Sequence, residues 1–127
     1  MSKQVIRTDK GPAPIGPYSQ AVVANGMVFA AGQGGIDPAT GKLVAGGIAA
    51  ETRRTLENCR AILEAAGCTM ADVVSVNVYL VNLGDFAAMN QVYAEYFKEN
   101  PPARTTVGVA ALPAGASVEI TCVAVKP

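Results

Sequence analysis

The sequence predicts an α+β domain in which two helices cover one face of a six-stranded, mixed or antiparallel sheet. Three observations predict it: a hairpin signature near the N-terminus, two segments with helical periodicity, and several β-branched runs. The predicted elements follow one another in the order β-β-β-α-β-α-β-β. A length of 127 residues fits one domain with a usable core, so we expect a single domain over residues 1–127.

The N-terminal part of the chain contains the hairpin. A first short strand is predicted near Val5, and residues 21–24 and 27–31 are apolar runs on either side of Asn25-Gly26. Asn-Gly between two apolar runs is the strongest short signal for a two-residue hairpin turn. The sequence therefore predicts that the second and third strands pair directly.

A glycine-rich loop and a long helix follow. Residues 32–41 are predicted to be a loop because of their glycines and Asp37-Pro38. This loop lacks the glycine spacing of nucleotide-phosphate motifs. Between residues 48 and 66, apolar side chains recur at steps of three and four, which predicts one helix ending at Gly67.

The second half of the chain alternates strands with another helix. Residues 73–81 are rich in valine and predict a strand. Asp85 can cap a helix that ends before Asn100 and the two prolines after it. The side chains of this helix that we expect to face inward are Phe86, Met89, Val92, Tyr93, Tyr96 and Phe97.

Two further strands, residues 104–112 and 118–125, are predicted on either side of a turn near Gly115. The last strand carries apolar residues on both faces: Ile120, Cys122 and Ala124 on one, Val123 and Val125 on the other. Two helices can cover only one face of the sheet. We therefore expect self-association to bury the second face, with small-molecule cavities between subunits.

Composition excludes several classes of function. Ten basic and ten acidic residues balance, and the basic ones are scattered, which argues against a nucleic-acid-binding face. The chain contains no histidine, which removes Ser-His-Asp and Cys-His nucleophile systems and the usual histidine-bearing zinc sites. We expect any chemistry to use carboxylates, Arg, Tyr, hydroxyl groups, Cys, backbone amides and water.

Location can also be predicted from the sequence. No apolar run approaches the roughly 20 residues needed to span a bilayer, and the first residues lack the apolar core of a secretory signal. Cys59, Cys68 and Cys122 form an odd set without a C-x-x-C pair, which fits a reducing compartment. We therefore expect a cytoplasmic protein that does not bind membranes.

Two charged residues, Arg104 and Glu119, lie inside runs that otherwise predict apolar strands. A buried charge needs a partner, water or a ligand. A guanidinium can bind a carboxylate through two parallel hydrogen bonds, and a nearby carboxylate can orient a water molecule. The pair predicts a small acidic substrate and a hydrolytic step, and the alternative is a structural salt bridge between chains. If the last two strands formed a simple hairpin near Gly115, the two charges would not lie directly opposite and would meet across a subunit boundary or through water.

Several short motifs carry a resemblance to a known family. They are Ala13-Pro14-Ile15-Gly16-Pro17-Tyr18-Ser19-Gln20, Ala31-Gly32-Gln33 before Asp37-Pro38-Ala39-Thr40-Gly41, Asn58, Asp85-Phe86 with Asn90, Pro102-Ala103-Arg104, and Leu112-Pro113 followed by Val118-Glu119-Ile120. In this order and spacing, over nearly the whole chain, they resemble the RidA (YjgF-type) family of reactive-intermediate deaminases.

The resemblance implies a chorismate-mutase-like fold and a homotrimer with three clefts between subunits. It implies hydrolysis of 2-imino acids, such as 2-iminobutanoate and 2-iminopropanoate, to 2-oxo acids and ammonia. Neither a metal nor an organic cofactor is implied. The expected partners are the imino acid and two further copies of the chain, without nucleic acid.

The resemblance also implies roles for particular residues. Arg104 would bind the substrate carboxylate, Glu119 would hold the attacking water and transfer protons, and Tyr18 would close the pocket. Backbone groups around Ala31 and Gly32 could contact the reacting nitrogen. Asn90 is expected to orient the neighbouring chain, whereas Asn58 is expected to be structural.

The sequence departs from the family pattern at three positions. Thr106 stands where the family commonly has cysteine, Ala31 where it commonly has serine, and Gly34 where a larger apolar residue is usual. A thiol at position 106 therefore cannot be essential here, and we include Thr106 among the substrate-binding residues because it keeps a hydroxyl group. Gly34 would widen the same pocket.

Two other functions remain open from the sequence. The same cleft could bind 2-oxo acids or related metabolites without catalysis, in a trimeric binding module. Alternatively, the chain could be an interaction protein with chaperone-like or RNA-directed activity, although its balanced charge disfavours RNA.

Overall fold

The computed structural model describes residues 2–127, and this range contains six strands and two α-helices in the predicted order. The elements are β1 (Gln4–Ile6), β2 (Ala21–Ala24), β3 (Met27–Ala30), α1 (Gly47–Ala65), β4 (Val73–Leu80), α2 (Phe86–Tyr96), β5 (Ala103–Gly108) and β6 (Val118–Val125). The β2–β3 turn has positive φ at both Asn25 and Gly26, as the sequence predicts for this hairpin.

The strands form one mixed sheet in the order β1-β2-β3-β6-β4-β5. All neighbours are antiparallel except β4 and β5, which are parallel because α2 crosses over between them. The α+β class with a six-stranded mixed sheet is therefore confirmed. The last two strands do not form a simple hairpin, since β4 lies between β5 and β6.

One face of the sheet is buried under the helices and is called here the helix face. Alternate residues of β6 lie on it and are at most 1% exposed: Val118, Ile120, Cys122 and Ala124. From α1 they meet four fully buried side chains: Leu56, Cys59, Ile62 and Leu63. From α2 the core receives Met89, Val92 and Tyr93. The strand and helix periodicities in the sequence thus converge on one apolar layer.

The opposite face, called here the open face, also carries apolar side chains. Val5, Val22, Phe29 and Val123 are register partners across β1, β2, β3 and β6 and form a continuous row. Val5 is 49% exposed and Phe29 42% exposed. The sequence prediction of apolar residues on both faces is confirmed. No helix within residues 2–127 is long and apolar enough to cross a membrane.

Three local predictions are wrong. Strand β5 ends at Gly108, not at residue 112, because its neighbour β4 ends at the register partner Leu80. Phe86 does not face inward but is 42% exposed at the start of α2. The side chain of Asp85, the residue before it, makes no capping hydrogen bond.

Strand β4 contains an irregularity that the alternation of its residues does not reveal. The register against β6 shifts between Val73 and Ser75. Consequently Val73 is buried and Val74 is 45% exposed, so Val74 does not share the face of Val76.

Candidate active site

A cavity of about 300 Å³ opens beside the start of β6. It lies between the segment before β2, the loop after β3 and the turn before β6. Its lining residues are Pro12, Ala13, Pro14, Ile15, Tyr18, Gln20, Gly32, Gln33, Gly34, Ile36, Pro38, Gly41, Pro113, Ala114, Ala116 and Glu119. Three residues predicted for the site, Tyr18, Gly32 and Glu119, therefore meet here, and we call them the cavity cluster.

Glu119 points from β6 on the open face and lies against Gly32. An added Cβ at Gly32 would lie 2.5 Å from Glu119 Oε2, so a larger residue there would displace the carboxyl group from its observed position. The loop is held there by two backbone hydrogen bonds of 2.9 Å between Gln33 and Ile120. Burial raises the pKa of the Glu119 carboxyl above its usual value. The site thus offers a carboxyl group suited to accepting and returning a proton.

Tyr18 contributes a phenol at the cavity wall. Its hydroxyl oxygen accepts a hydrogen bond from the Ile15 backbone N–H at 3.2 Å, which leaves the hydroxyl hydrogen free to donate. The segment is anchored by Gln20, which is only 3% exposed. The Gln20 side chain accepts from Thr8 N at 2.7 Å and donates to Pro12 O at 2.8 Å. The cavity wall before β2 is therefore fixed by one buried amide.

Sequence reasoning missed this role of Gln20 and the support that Glu51 provides from α1, whereas it predicted a structural role for Asn58. Asn58 is fully buried and donates to the backbone oxygens of Gly34 at 3.1 Å and Ile36 at 2.8 Å. Glu51 is 5% exposed and accepts from Ser117 N at 2.8 Å. The sequence contained a signal for Glu51 and Asn58, since polar residues beside the apolar stripe of a helix become buried and then need hydrogen-bond partners. The predicted structural role of Asn58 is consistent with these contacts.

The other predicted residues form a second group at the β5 edge of the sheet, which we call the edge cluster: Asn90, Arg104 and Thr106. The Arg104 guanidinium carbon lies 4.7 Å from the ring centre of Tyr93 and 5.6 Å from that of Phe86. Asn90 is one turn of α2 away from both aromatic residues and is partly buried.

The edge cluster has polar groups that its own chain leaves unpaired. Arg104 forms no ion pair with any of residues 2–127. The Thr106 hydroxyl oxygen is buried and has no hydrogen-bond partner in that range. Burial raises the pKa of Tyr93 to about 12, against the opposing effect of the Arg104 charge. The phenol beneath Arg104 therefore stays neutral and serves as an aromatic platform.

The cavity cluster and the edge cluster do not meet within one chain. Arg104 is aligned with Val76, and Val76 with Cys122, three residues from Glu119. Strand spacings of about 4.8 Å and a rise of about 3.3 Å per residue place the two Cα atoms roughly 14 Å apart. Arg104 projects to the helix face and Glu119 to the open face, so no direct pair forms.

Ala31 lies beside the cavity cluster without lining the cavity itself. Its backbone N–H donates to Gln20 O at 2.8 Å, and its backbone oxygen accepts from Gln33 Nε2 at 3.3 Å. These contacts position the following residue, Gly32, so Ala31 contributes through its backbone.

Comparisons with known proteins found similar chains that match this one over nearly its whole length. Residues 8–126 match the family model described as endoribonuclease L-PSP. A RutC family protein from Pyrococcus abyssi is 52% identical over 126 residues, which cover 99% of each chain. Human 2-iminobutanoate/2-iminopropanoate deaminase is 47% identical over 124 residues, covering 98% of this chain and 90% of the human protein. The crystal structure of RidA from an Antarctic Psychrobacter superimposes with a TM-score of 0.93 at 47% identity, covering 96% of this chain and 98% of that one.

Proposed function

This chain belongs to the RidA (YjgF-type) family, also described as endoribonuclease L-PSP, and from that premise we propose that it hydrolyses 2-imino acids to 2-oxo acids and ammonia. The substrates we propose include 2-iminobutanoate and 2-iminopropanoate. The main supporting observation is the cavity cluster, where a carboxyl group with a raised pKa and a phenol line the same cavity. We further propose a single-domain cytoplasmic enzyme that needs no metal, organic cofactor or nucleic acid.

The chemistry needs little beyond positioning and proton transfer. The imine carbon is already electrophilic, so a water oxygen held by Glu119 attacks C2 while the carboxylate accepts the water proton. Glu119 then returns that proton to the nitrogen. In the carbinolamine so formed, Glu119 takes the proton of the C2 hydroxyl group and passes it to the nitrogen. The C–N bond then breaks, ammonia leaves and the hydroxyl oxygen becomes the carbonyl oxygen. The Tyr18 hydroxyl and the backbone around Ala31 and Gly32 hold the substrate during this sequence.

The substrate carboxylate would be bound by Arg104 of a neighbouring chain. Arg104 lacks an anionic partner within residues 2–127, and its planar guanidinium suits a carboxylate. In the same cleft, Thr106 would offer its unpaired hydroxyl group, and Asn90 would hydrogen-bond across the interface. Each catalytic cleft would therefore combine the cavity cluster of one chain with the edge cluster of the next.

A homotrimer with three such clefts accounts for the apolar row on the open face. Val5, Phe29 and Val125 are between 42% and 49% exposed, and together with Val22 and Val123 they form a surface that water solvates poorly. Packing this face against other copies buries it. The same packing brings the cavity cluster of one chain next to the edge cluster of another. This is necessary because the two clusters do not meet within one chain.

The test is a coupled assay in which a threonine dehydratase releases the enamine and imine of 2-oxobutanoate. The purified wild-type protein should accelerate the appearance of 2-oxobutanoate. Arg104→Ala should abolish the acceleration, since a lost charged partner of a carboxylate typically costs about 2–5 kcal/mol. Arg53→Ala is the matched control, because Arg53 forms an exposed pair with Glu95 outside the site. Equal rates for wild type and Arg104→Ala would refute the carboxylate-binding role.

The description of the family model supports a second candidate, cleavage of RNA. Balanced charge and the lack of histidine make it the weaker one. Incubation of the same preparations with single-stranded RNA distinguishes the two functions. RNA cleavage that persists in Arg104→Ala, without imine hydrolysis in wild type, would favour the second candidate. Saturable, Arg104-dependent binding of 2-oxobutanoate without catalysis would instead indicate a binding module.

A further inference from the structure

The hydroxyl group of Tyr93 is buried near the charge of Arg104 and lacks a hydrogen-bond partner. Tyr93 is 6% exposed, and its hydroxyl oxygen makes no hydrogen bond with any of residues 2–127. A phenol oxygen can both donate and accept, and leaving it unpaired inside a protein costs free energy. Because such atoms are few in native structures, this one points to a partner that the observed conformation does not bring to it.

That partner has to come from the same chain. The hydroxyl oxygen is closed to solvent, so neither bulk water nor a side chain of another subunit reaches it in this conformation. Three groups affect the pKa of Tyr93 by their charge: Arg104, Cys59 and Cys122. The two thiols are weak hydrogen-bond donors, whereas the guanidinium is a strong one. The guanidinium carbon lies 4.7 Å from the centre of the Tyr93 ring, which makes Arg104 the available donor.

The phenol is fixed, whereas the guanidinium has donors to spare. The Tyr93 ring packs against that of Phe97 with ring centres 4.7 Å apart, and Phe97 is 8% exposed. Arg104 lies over the Tyr93 ring and makes no hydrogen bond with its oxygen. Of the five N–H donors of a guanidinium, a carboxylate bound through two parallel hydrogen bonds uses two. Another N–H therefore remains for the Tyr93 oxygen when a carboxylate is bound.

From this arrangement we propose that Tyr93 is a positioning residue, whose hydroxyl oxygen accepts a hydrogen bond from Arg104 when the guanidinium binds a ligand carboxylate. The inference rests on the proposed function, in which Arg104 binds the substrate carboxylate. Stacking alone leaves the guanidinium free to turn over the ring, whereas this hydrogen bond fixes the direction of the two donors that hold the carboxylate. It also satisfies the oxygen that is unpaired in the free chain. Tyr93 acts only through Arg104 and touches no substrate atom.

The test is Tyr93→Phe, which removes the hydroxyl group and keeps the ring. KM for 2-iminobutanoate and the dissociation constant of 2-oxobutanoate should both rise about tenfold, the scale of one hydrogen bond to a charged group, with little change in kcat. Because the oxygen is unpaired in the free chain, the variant should unfold at the same or a higher temperature than wild type. Tyr96→Phe is the matched control on the same helix, since the Tyr96 hydroxyl donates to Glu57 at 2.7 Å. That variant should unfold at a lower temperature and keep the wild-type KM.

The titration with 2-oxobutanoate separates failure of this inference from failure of the proposed function. If wild type binds 2-oxobutanoate but hydrolyses no imine, the effect of Tyr93→Phe on binding still decides the role of Tyr93. In an Arg104→Ala background, Tyr93→Phe should have no further effect on binding, because Tyr93 acts through the guanidinium. Unchanged KM and binding in Tyr93→Phe, or an equal loss of affinity in the Arg104→Ala background, would overturn the inference. A wild type that neither hydrolyses the imine nor binds 2-oxobutanoate would refute both proposals.

Discussion

The cavity cluster and the edge cluster differ in how the fold holds their charged groups. Glu119 lies in a cavity whose walls are fixed by buried amides, and burial raises the pKa of its carboxyl group. Arg104 lies at the edge of the sheet on two aromatic rings, without an acidic partner in the described chain. One cluster is a shaped pocket that lacks a cation, and the other is a cation that lacks a pocket.

This difference suggests why the two charges are kept apart. If Arg104 and Glu119 faced each other in one chain, they would form a salt bridge, and the carboxyl group would lose its raised pKa. A separation of roughly 14 Å, on opposite faces of the sheet, prevents that. Both groups then remain available for a substrate that carries an anion at one end and an electrophilic carbon at the other.

The largest effect is expected from Glu119→Gln. The amide cannot accept the proton of the attacking water, so kcat should fall by about 10²- to 10⁴-fold, the usual contribution of a general base. KM should change little, since we assign carboxylate binding to the edge cluster. Steady-state kinetics on enzymatically released 2-iminobutanoate measure both constants. A loss confined to KM would contradict the division of labour between the clusters.

The next prediction concerns the assembly of the two clusters. Glu119→Gln and Arg104→Ala should each be nearly inactive, but mixed trimers should regain activity. If every site uses Glu119 of one chain and Arg104 of the next, random assembly of equal amounts restores about one quarter of the sites.

The measurement is to unfold, mix and refold the two variants and to compare them with wild type treated in the same way. The double variant Arg104→Ala/Glu119→Gln, mixed with wild type, provides the matched control for dilution. Absence of recovery in mixtures that form normal oligomers would place both groups in the site of a single chain.

Local sequence patterns predict some parts of these clusters, whereas the parts that depend on contacts between distant residues could not be predicted. The hairpin at Asn25-Gly26 and the alternation in β6 are local patterns, and the structure confirms both. The neighbours of β5 depend on a long-range pairing with β4 that no local pattern encodes. Because of that pairing, Arg104 stacks on Tyr93 and cannot face Glu119.

The supports of the cavity were harder to predict than its functional groups. Gln20 and Asn58 act through backbone oxygens far away in the sequence, and such partners leave no periodic signal. The assignment of Tyr18, Gly32 and Glu119 to one site came from the family resemblance, and the structure brings the three together around one cavity.

A smaller effect is expected when one of these supports is removed. Asn58→Ala leaves the backbone oxygens of Gly34 and Ile36 without their donor, so the free energy of unfolding should fall by about 1–3 kcal/mol. Chemical denaturation measures this change. Thr40→Ala, in an exposed turn, is the control and should stay close to wild type. If Asn58→Ala were as stable as wild type, the walls of the cavity would not depend on this amide.

The smallest effect is a dependence of stability on pH that only the cavity cluster should show. Because burial raises the pKa of Glu119, the folded chain holds this proton more tightly than the unfolded chain does. The stability contributed by Glu119 is therefore present at low pH and is lost as the pH rises from the ordinary pKa of glutamate through the raised folded value. Glu119→Gln removes this dependence of stability on pH. The free energy of unfolding of the variant, relative to that of wild type, should therefore increase as the pH rises through this window.

Activity should follow the opposite trend, since kcat requires the carboxylate and should fall as the pH drops through the folded pKa of Glu119. Thermal unfolding and kcat, measured over the same pH series, test both trends. If only the substrate connects the two clusters, the stability of Arg104→Ala should depend on pH in the same way as that of wild type. A slope that appears in Arg104→Ala but not in wild type would mean that Arg104 of a neighbouring chain pairs directly with Glu119. In that case the two clusters would form the structural salt bridge that their sequence also allows, and the substrate would have to displace it.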